Sequence, residues 1–407
     1  MSQLATRPEG QPQIAAQRDD NAVRRARFGQ RMWAIVAGII AGLLLIVLIL
    51  LGSRGFQWFD AALIGYAVGT IFVTAAVTYK YTFWLMRPQT GRYFRRGWQL
   101  FFSLENLRRY TTLVPSAIFK GLLAQTFIRK RSYYRWITHL CIFWGVVLSL
   151  CVTFPLTFGW LRFTQTADGQ YLMWAVGIPL ITFAPYSLFG ALVYHVLVFT
   201  SLLLLIGLVM AFHRRFHDIA SIAIQRFSFD IVPLALLFGI AVTGLALTVD
   251  GAFFNGAYYW FVSLTHEAIV VLWLISLPFG KFFHILERPA TVGIELYWRA
   301  TEDAAQRECP RCGQPFAPAL FIHDLKLTLD DIGQEYYVAP DSAPAPVSPR
   351  RARARVAATP AAPTARDAAR EDLAQTIWWQ DFCPDCKRVM RGEANMAALG
   401  RDGNQFL

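Results

Sequence analysis

Long apolar stretches alternate along the chain with short polar stretches that are mostly basic. Six apolar stretches are long enough to cross a bilayer, at about 33–52, 59–84, 134–156, 187–212, 228–248 and 258–285. A bilayer core requires roughly 20 apolar residues per helix, and a segment facing lipid must satisfy its own backbone polar groups. The pattern therefore predicts an all-α membrane protein in which about six transmembrane helices form a bundle over residues 33–290.

Composition supports membrane insertion, because 55% of the residues are hydrophobic and only 16% are charged. Soluble domains usually carry about 25% charged residues. The first apolar stretch follows the basic residues Arg24, Arg25 and Arg27 and is too long for the core of a signal peptide. No small-residue cleavage site follows it, so we expect a polar tail over residues 1–32 and a retained first helix.

Basic residues predict the orientation of the helices. Twelve Lys and Arg residues lie between Lys80 and Arg135, whereas Arg54 and Arg162 are the basic residues expected on the opposite side. Loops rich in Lys and Arg stay in the cytoplasm, which predicts a plasma membrane protein with both termini cytoplasmic. The net charge of +12 is then explained by these loops, and we expect no nucleic-acid partner.

Residues 87–132 are expected to form an amphipathic, partly helical loop on the cytoplasmic membrane surface. Its aromatic residues Trp98, Phe101 and Phe102 are suited to contact lipid.

Five of the seven histidines lie in or at the ends of predicted helices: His139, His195, His213, His266 and His284. His195 and His213 are 18 residues apart in the fourth helix, and His266 and His284 repeat this spacing in the sixth. In a continuous helix this spacing is five whole turns, so each pair shares a face and spans roughly 27 Å. Both helices run in the same direction, so the histidines are expected at two matching depths, with His139 at the inner one.

Histidines that face one another across a helical bundle are the axial ligands that a six-coordinate haem iron needs. The alternative is a transporter whose histidines carry protons or ions, because ionisable groups within the membrane often serve transport. The chain shows no internal repeat of the kind found in many carriers. The matched spacing favours haem.

Two segments resemble a known family. The sequence His266-Glu-Ala-Ile-Val-Val-Leu-Trp-Leu-Ile-Ser-Leu-Pro-Phe-Gly-Lys-Phe-Phe-His284-Ile is similar to the last helix of the gamma subunit of respiratory nitrate reductase. The sequence Tyr134-Arg-Trp-Ile-Thr-His139-Leu-Cys-Ile-Phe-Trp-Gly145 resembles the helix that supplies the other haem ligands in that family. It is even more similar to the cytochrome b subunits of heterodisulfide reductase and sulfite-reduction complexes. The resemblance covers roughly residues 59–290.

This resemblance implies a b-type cytochrome subunit with two haems that exchanges electrons between membrane quinone and a cytoplasmic redox enzyme. His139 and His284 match the ligands of the inner haem, and His266 matches one ligand of the outer haem. The family's fourth ligand corresponds to Ser149 in this chain, so a single haem is the alternative. From its depth we expect His195 to replace that ligand, and His213 is the alternative inner ligand.

The resemblance also implies partners. A chain without nucleotide or molybdenum motifs of its own would anchor catalytic subunits that carry iron–sulfur or molybdenum centres.

Glu267 is the candidate for proton transfer, because it adjoins His266 and is the first charged residue of the predicted sixth helix. A buried carboxylate is costly unless it is protonated or paired. Glu267 is therefore either a proton acceptor for quinol or a polar contact within the bundle.

Four cysteines in the tail over residues 291–407 form two turns, Cys309-Pro-Arg-Cys312 and Cys383-Pro-Asp-Cys386. Two Cys-x-x-Cys turns supply four thiolates for a tetrahedral metal ion. The tail is thus predicted to be a zinc-ribbon-like domain, with iron as the alternative metal. Residues 339–370 are rich in Ala, Pro and Arg and are predicted to be a disordered insertion between the turns. The alternative function for the whole chain is a transporter or scaffold with a structural zinc ribbon.

Overall fold

The computed structural model describes residues 12–59, 63–102, 108, 111–302, 304–332, 334 and 377–398. The described helices are, in chain order, α1 (Pro12–Gly52), α2 (Ile64–Leu85), α3 (Pro88–Phe101), α4 (Leu113–Ile118), α5 (Thr126–Arg129), α6 (Tyr133–Thr157), α7 (Leu188–His217), α8 (Ile219–Ile224), α9 (Val232–Phe253), α10 (Tyr259–Ser276), α11 (His284–Glu287), α12 (Ala290–Glu302), α13 (Ala319–Asp331) and α14 (Pro384–Ala398). Short π-helical segments lie at Phe119–Leu123 and Phe227–Ile231, and 3₁₀ turns at Lys281–Phe283 and Trp379–Asp381.

The mostly helical membrane protein expected from the sequence is confirmed. Among the described residues, five helices are long and apolar enough to cross a bilayer, at Arg27–Gly52, Tyr133–Thr157, Leu188–His217, Phe227–Phe253 and Tyr259–Ser276. The second predicted span forms the 22-residue helix α2, which contains Lys80 and several threonines and tyrosines and is not among these five. The count of six spans therefore stays a prediction.

The last predicted span is not one continuous helix, and this expectation was wrong. Helix α10 ends at Ser276, and the chain passes through the 3₁₀ turn before α11 begins at His284. Pro278 accounts for the break, because a proline ring clashes with the carbonyl four residues earlier and has no amide hydrogen. His266 and His284 therefore do not share a helix face. Helix α7 is continuous, so His195 and His213 do share one helix.

The expected all-α class also needs correction, because the part of the chain that the structure describes contains two small antiparallel sheets. Strands β1 (Leu161–Gln165), β2 (Tyr171–Ala175) and β3 (Ile178–Phe183) form a meander between α6 and α7. Val176 and Gly177 connect β2 to β3 with positive φ angles of 49° and 81°, as a two-residue hairpin turn of type I′ requires. Strands β4 (Gln306–Glu308) and β5 (Pro315–Pro318) form a second hairpin in the tail.

The chain divides into two compact units. The first, here called the membrane unit, comprises Gln30–Phe83 and Pro115–Val292. The second, the C-terminal unit, comprises Met1–Gly29, Trp84–Val114 and Gly293–Leu407. Helix α3, which belongs to the predicted surface loop, thus falls in the same unit as the tail.

Helices α6 and α7 pack closely at two glycines of the membrane unit. A Cβ atom on Gly145 would lie 2.9 Å from the backbone nitrogen of Leu204, and one on Gly207 would lie 2.8 Å from that of Ile142. Only glycine permits such an approach of two helix backbones. Helix α7 thus occupies the space beside Gly145. The core continues through Leu208, Leu237 and Trp273 of the neighbouring helices.

Candidate functional sites

His139 and His284 face each other in the membrane unit, and we call them the paired-histidine site. Their ring centroids are 6.3 Å apart and their ring planes are inclined at 66°. His139 lies in the second turn of α6, which Ser132 caps by accepting a hydrogen bond from the Arg135 backbone amide. His284 begins α11 after the break at Pro278. The structure thus joins the two histidines that the resemblance implies for the inner haem.

Hydrogen bonds fix both rings of the paired-histidine site in the same tautomer. His139 Nδ1 donates to Oε1 of Gln125, and His284 Nδ1 donates to the backbone oxygen of Lys281, each over 2.5 Å. Both acceptors are carbonyl oxygens, so each Nδ1 carries the hydrogen and each Nε2 keeps its lone pair. A second group that holds Nδ1 in this way is typical of metal-bound histidines.

The spacing of the two rings fits a metal ion between them. Two imidazole nitrogens on opposite sides of one metal stand about 4 Å apart, since each bond is about 2 Å long. The ring centres then lie about 6 Å apart, which agrees with the observed 6.3 Å. The residues present therefore fit a haem iron with two axial histidines.

Gln125 was missed by sequence reasoning although it holds His139. Its side chain is 4% exposed, and its backbone has a left-handed φ of 48° directly before α5. A non-glycine residue in this conformation is uncommon and often lies at a functional site. The sequence offers no clear signal, because the conformation and the contact are both tertiary.

His213, the alternative inner ligand, is not part of the paired-histidine site. Its exposed ring stacks on His217 with a centroid separation of 4.5 Å. The adjacent Arg215 binds Asp230 at 3.0 Å, and Lys281 binds the same carboxylate at 2.6 Å. These charges tie the ends of α7, α9 and the turn after α10 together.

His266 lines a separate cavity, which we call the single-histidine cavity. It has a volume of about 450 Å³ and mostly apolar walls from α6, α7, α9 and α10. His266 Nδ1 lies 2.8 Å from the hydroxyl oxygen of Thr243 on α9. Ser149, at the position where the resemblance implies a histidine, lines the same cavity.

The expected pairing of His195 with His266 does not occur among the described contacts. His195 is exposed, and its Nδ1 lies 2.9 Å from the Ala191 carbonyl of its own helix. It is not among the residues that line the single-histidine cavity. The matching depths of His195 and His266 in the membrane therefore did not mean that their side chains face each other, because helix α7 turns the His195 side chain away from the cavity.

Glu267 also lines the single-histidine cavity, and it makes the polar contact that the sequence left open. Its Oε1 accepts a hydrogen bond of 3.2 Å from the backbone amide of Tyr66 in the first turn of α2. A carboxylate there satisfies a free amide and interacts favourably with the helix dipole.

The four tail cysteines come together in the C-terminal unit. The Sγ atoms of Cys309, Cys312, Cys383 and Cys386 all lie within 4.8 Å of one another. Cys312 and Cys383 are 3.7 Å apart, close to the separation of about 3.8 Å expected for two thiolates on one tetrahedral zinc ion. The cluster can therefore hold a metal ion, as the spacing of the motifs predicted.

Backbone amides favour the thiolate form of Cys309, whereas burial raises the pKa of the Cys386 thiol. The amides of Cys383 and Cys386 donate to the sulfurs of Cys309 and Cys383, each over 3.4 Å. Burial alone would raise the pKa of the Cys309 thiol, but hydrogen bonds from backbone amides outweigh it and lower this pKa to about 7. The thiolate is the form that binds metal.

A buried ion-pair network supports the cluster, and sequence reasoning missed it. Asp381 is fully buried and binds Lys326 at 2.5 Å and Arg307 at 3.0 Å. Arg307 and Asp381 each lie two residues before the first cysteine of a Cys-x-x-Cys turn, so their contact joins the two turns. These opposite charges at matched positions were the sequence signal from which the contact between Arg307 and Asp381 could have been predicted.

A second buried carboxylate connects α13 to α3 within the C-terminal unit. Asp324 binds Arg96 at 3.2 Å and accepts a hydrogen bond of 3.1 Å from the Tyr297 hydroxyl. Burial alone would raise the pKa of Asp324, but hydrogen bonds from His323 and Arg96 hold it below its usual value. The predicted insertion over residues 339–370 lies outside the described residues.

Comparison with protein-family models, curated proteins and solved structures found no match for this chain.

Proposed function

We propose that this chain is the membrane-anchored b-type cytochrome subunit of an oxidoreductase complex. It would transfer electrons between the quinone pool and a redox enzyme on the cytoplasmic side. The supporting observation is the paired-histidine site, where both Nδ1 atoms are held and the ring separation of 6.3 Å suits one iron. A haem bound there supplies one-electron chemistry.

Oxidation of a quinol releases two protons and two electrons, so the chain must accept both the protons and the electrons. His139 and His284 would hold the haem, whose one-electron chemistry would serve the electrons. The protons need acceptors, and Glu267 and His266 line the cavity where a ring could reach them. Electron flow in the opposite direction uses the same groups in reverse.

The arrangement in the membrane is part of the proposal. The concentration of Lys and Arg between Lys80 and Arg135 supports cytoplasmic termini in a plasma membrane, with α2 as a sixth span. The C-terminal unit would then be cytoplasmic. Zinc at the four cysteines would shape this unit as a docking surface for iron–sulfur or molybdenum subunits.

A reduced-minus-oxidised absorption spectrum of the purified chain tests the haem. The protein should be expressed with sufficient haem, and we expect the α band of a b-type cytochrome. No α band would exclude the cytochrome and leave the transporter or scaffold with a zinc ribbon as the alternative.

Metal analysis of the full chain tests the four-cysteine site. We expect one zinc ion per chain, and Cys383→Ser should remove it because the ion needs all four thiolates. Cys151→Ser is the matched control, since Cys151 is a free, exposed cysteine of α6. Iron in place of zinc would instead extend the electron path, and no metal in the wild-type chain would contradict the site.

A further inference from the structure

The single-histidine cavity has the size and surface of a site for a small apolar ligand. Its volume of about 450 Å³ lies within the range of roughly 300–1,000 Å³ for ligand pockets. Its walls include Trp260 and Leu264, which are 71% and 58% exposed on the surface of the membrane unit. A ligand dissolved in lipid can therefore reach it from the side.

His266 offers a hydrogen-bond acceptor to this cavity. The hydroxyl of Thr243 donates its only hydrogen to the carbonyl of Gly239 over 2.6 Å. It must therefore accept a hydrogen from His266 Nδ1, which lies 2.8 Å away. His266 Nε2 then carries a lone pair.

Trp273 offers a donor. It is 4% exposed and lines the same cavity, and among the described residues its indole Nε1 is buried without a hydrogen-bond partner. A buried donor without a partner is costly, so a ligand atom that accepts from it would gain binding energy. The structure thus supplies one acceptor and one unused donor.

The two groups are spaced for a ring with oxygens at opposite positions. Trp273 follows His266 by seven residues on α10, which is two turns and about 10 Å along one helix face. The oxygens of a para-quinol are about 5 Å apart, so atoms at hydrogen-bond distance on both sides stand about 11 Å apart. The backbone spacing allows this arrangement. A quinol also matches the chemistry, because one hydroxyl can donate to His266 Nε2 while the other accepts from Trp273 Nε1.

A second haem with two axial histidines does not fit the same cavity. His266 is the only histidine among the described residues that line it. On the α6 side, Ser149 donates to the hydroxyl of Thr200 over 2.8 Å, and the Thr153 hydroxyl donates to the Ser149 carbonyl. The α6 side of the cavity thus presents hydroxyl groups and no imidazole.

We infer that the chain carries one haem, at the paired-histidine site, and that the single-histidine cavity binds a quinol ring between His266 and Trp273. This inference rests on the proposed function and specifies where its quinol binds. It assigns His266 to the quinol, in contrast to the outer haem that the resemblance implies.

The test measures haem per chain and the binding of decylubiquinol by calorimetry in the purified, haem-loaded protein with its haem kept reduced. We expect one haem in the wild type, in His266→Ala and in Trp273→Phe. Both variants should bind decylubiquinol about threefold to tenfold more weakly, because each loses one hydrogen bond. The retained haem spectrum shows that each variant is folded. His195→Ala is the matched control and should change neither quantity.

The outcomes separate the inference from the proposed function. Two haems per chain, one of which is lost in His266→Ala, would overturn the inference and leave the cytochrome intact. Loss of a haem in His195→Ala would likewise overturn it. Unchanged decylubiquinol affinity in both cavity variants would overturn the position of the quinol. Absence of haem from the wild type would overturn the proposed function itself.

Discussion

The paired-histidine site and the single-histidine cavity begin from the same kind of residue but differ in what faces it. At the paired-histidine site, a break in the helix at Pro278 brings His284 opposite His139, and Gln125 holds the ring of His139. At the second, His266 faces hydroxyl groups and an apolar space. A histidine within the membrane therefore indicates a cofactor only when its partner is also present, and the partner depends on the path of the chain.

The largest expected effect is on the paired-histidine site itself. His284→Ala should abolish haem binding, because the iron would lose one of its two axial ligands and the remaining imidazole would face an empty space. The α band per chain of purified protein measures this loss. His213→Ala, which changes an exposed histidine outside the site, should keep the full band. An unchanged spectrum in His284→Ala would contradict the pairing.

A second histidine should convert the single-histidine cavity into a haem site like the one proposed at the paired-histidine site. Ser149→His places an imidazole in the wall of the cavity that His266 already lines. We expect haem to rise from one to two per chain and binding of decylubiquinol to be lost, since the new haem fills its space. Ser201→His, at another position in the wall of this cavity, is the control for added bulk. A constant single haem in Ser149→His would show that the cavity cannot accept a macrocycle.

The hydrogen bond that holds His139 should have a smaller effect. Gln125→Leu removes the acceptor of the Nδ1 hydrogen, and loss of such a supporting group typically costs 10- to 100-fold in metal affinity. We expect the haem to remain at saturating concentration but to dissociate about 10- to 100-fold more readily, as measured by transfer to apomyoglobin. Gln125→Glu keeps an acceptor and adds negative charge, so it should retain affinity and lower the midpoint potential. Equal affinity in Gln125→Leu would contradict a supporting role.

The smallest expected effect is at Thr243. Thr243→Val removes the acceptor that sets the tautomer of His266, so the Nε2 lone pair is no longer fixed. Decylubiquinol should bind a few-fold more weakly, because a net hydrogen bond contributes about 1 kcal/mol. The haem content should not change. Thr243→Ser keeps the hydroxyl and should behave as the wild type, and weaker binding in this variant would point to packing instead of the tautomer.

Local patterns in the sequence predicted the parts of the molecule that depend on neighbouring residues. The apolar stretches predicted the membrane helices, since a segment in lipid must satisfy its own backbone. The two Cys-x-x-Cys turns predicted the four-cysteine cluster, because a turn fixes its two sulfurs locally and one metal ion needs four of them. The pair of His139 with His284 followed from the resemblance, but the continuous helix assumed for His284 was wrong.

The tertiary structure alone decided which side chains face each other. The depth of His195 matched that of His266, but His195 lies on an exposed face of α7. A helical pattern in the sequence does not specify which neighbouring helix a given face will contact. The contacts of Gln125 with His139, of Asp381 with Lys326 and of Glu267 with α2 join residues far apart in the chain. Such contacts depend on how the helices pack. Local sequence thus determined the elements and the metal-binding turns, and packing determined which histidine has a partner.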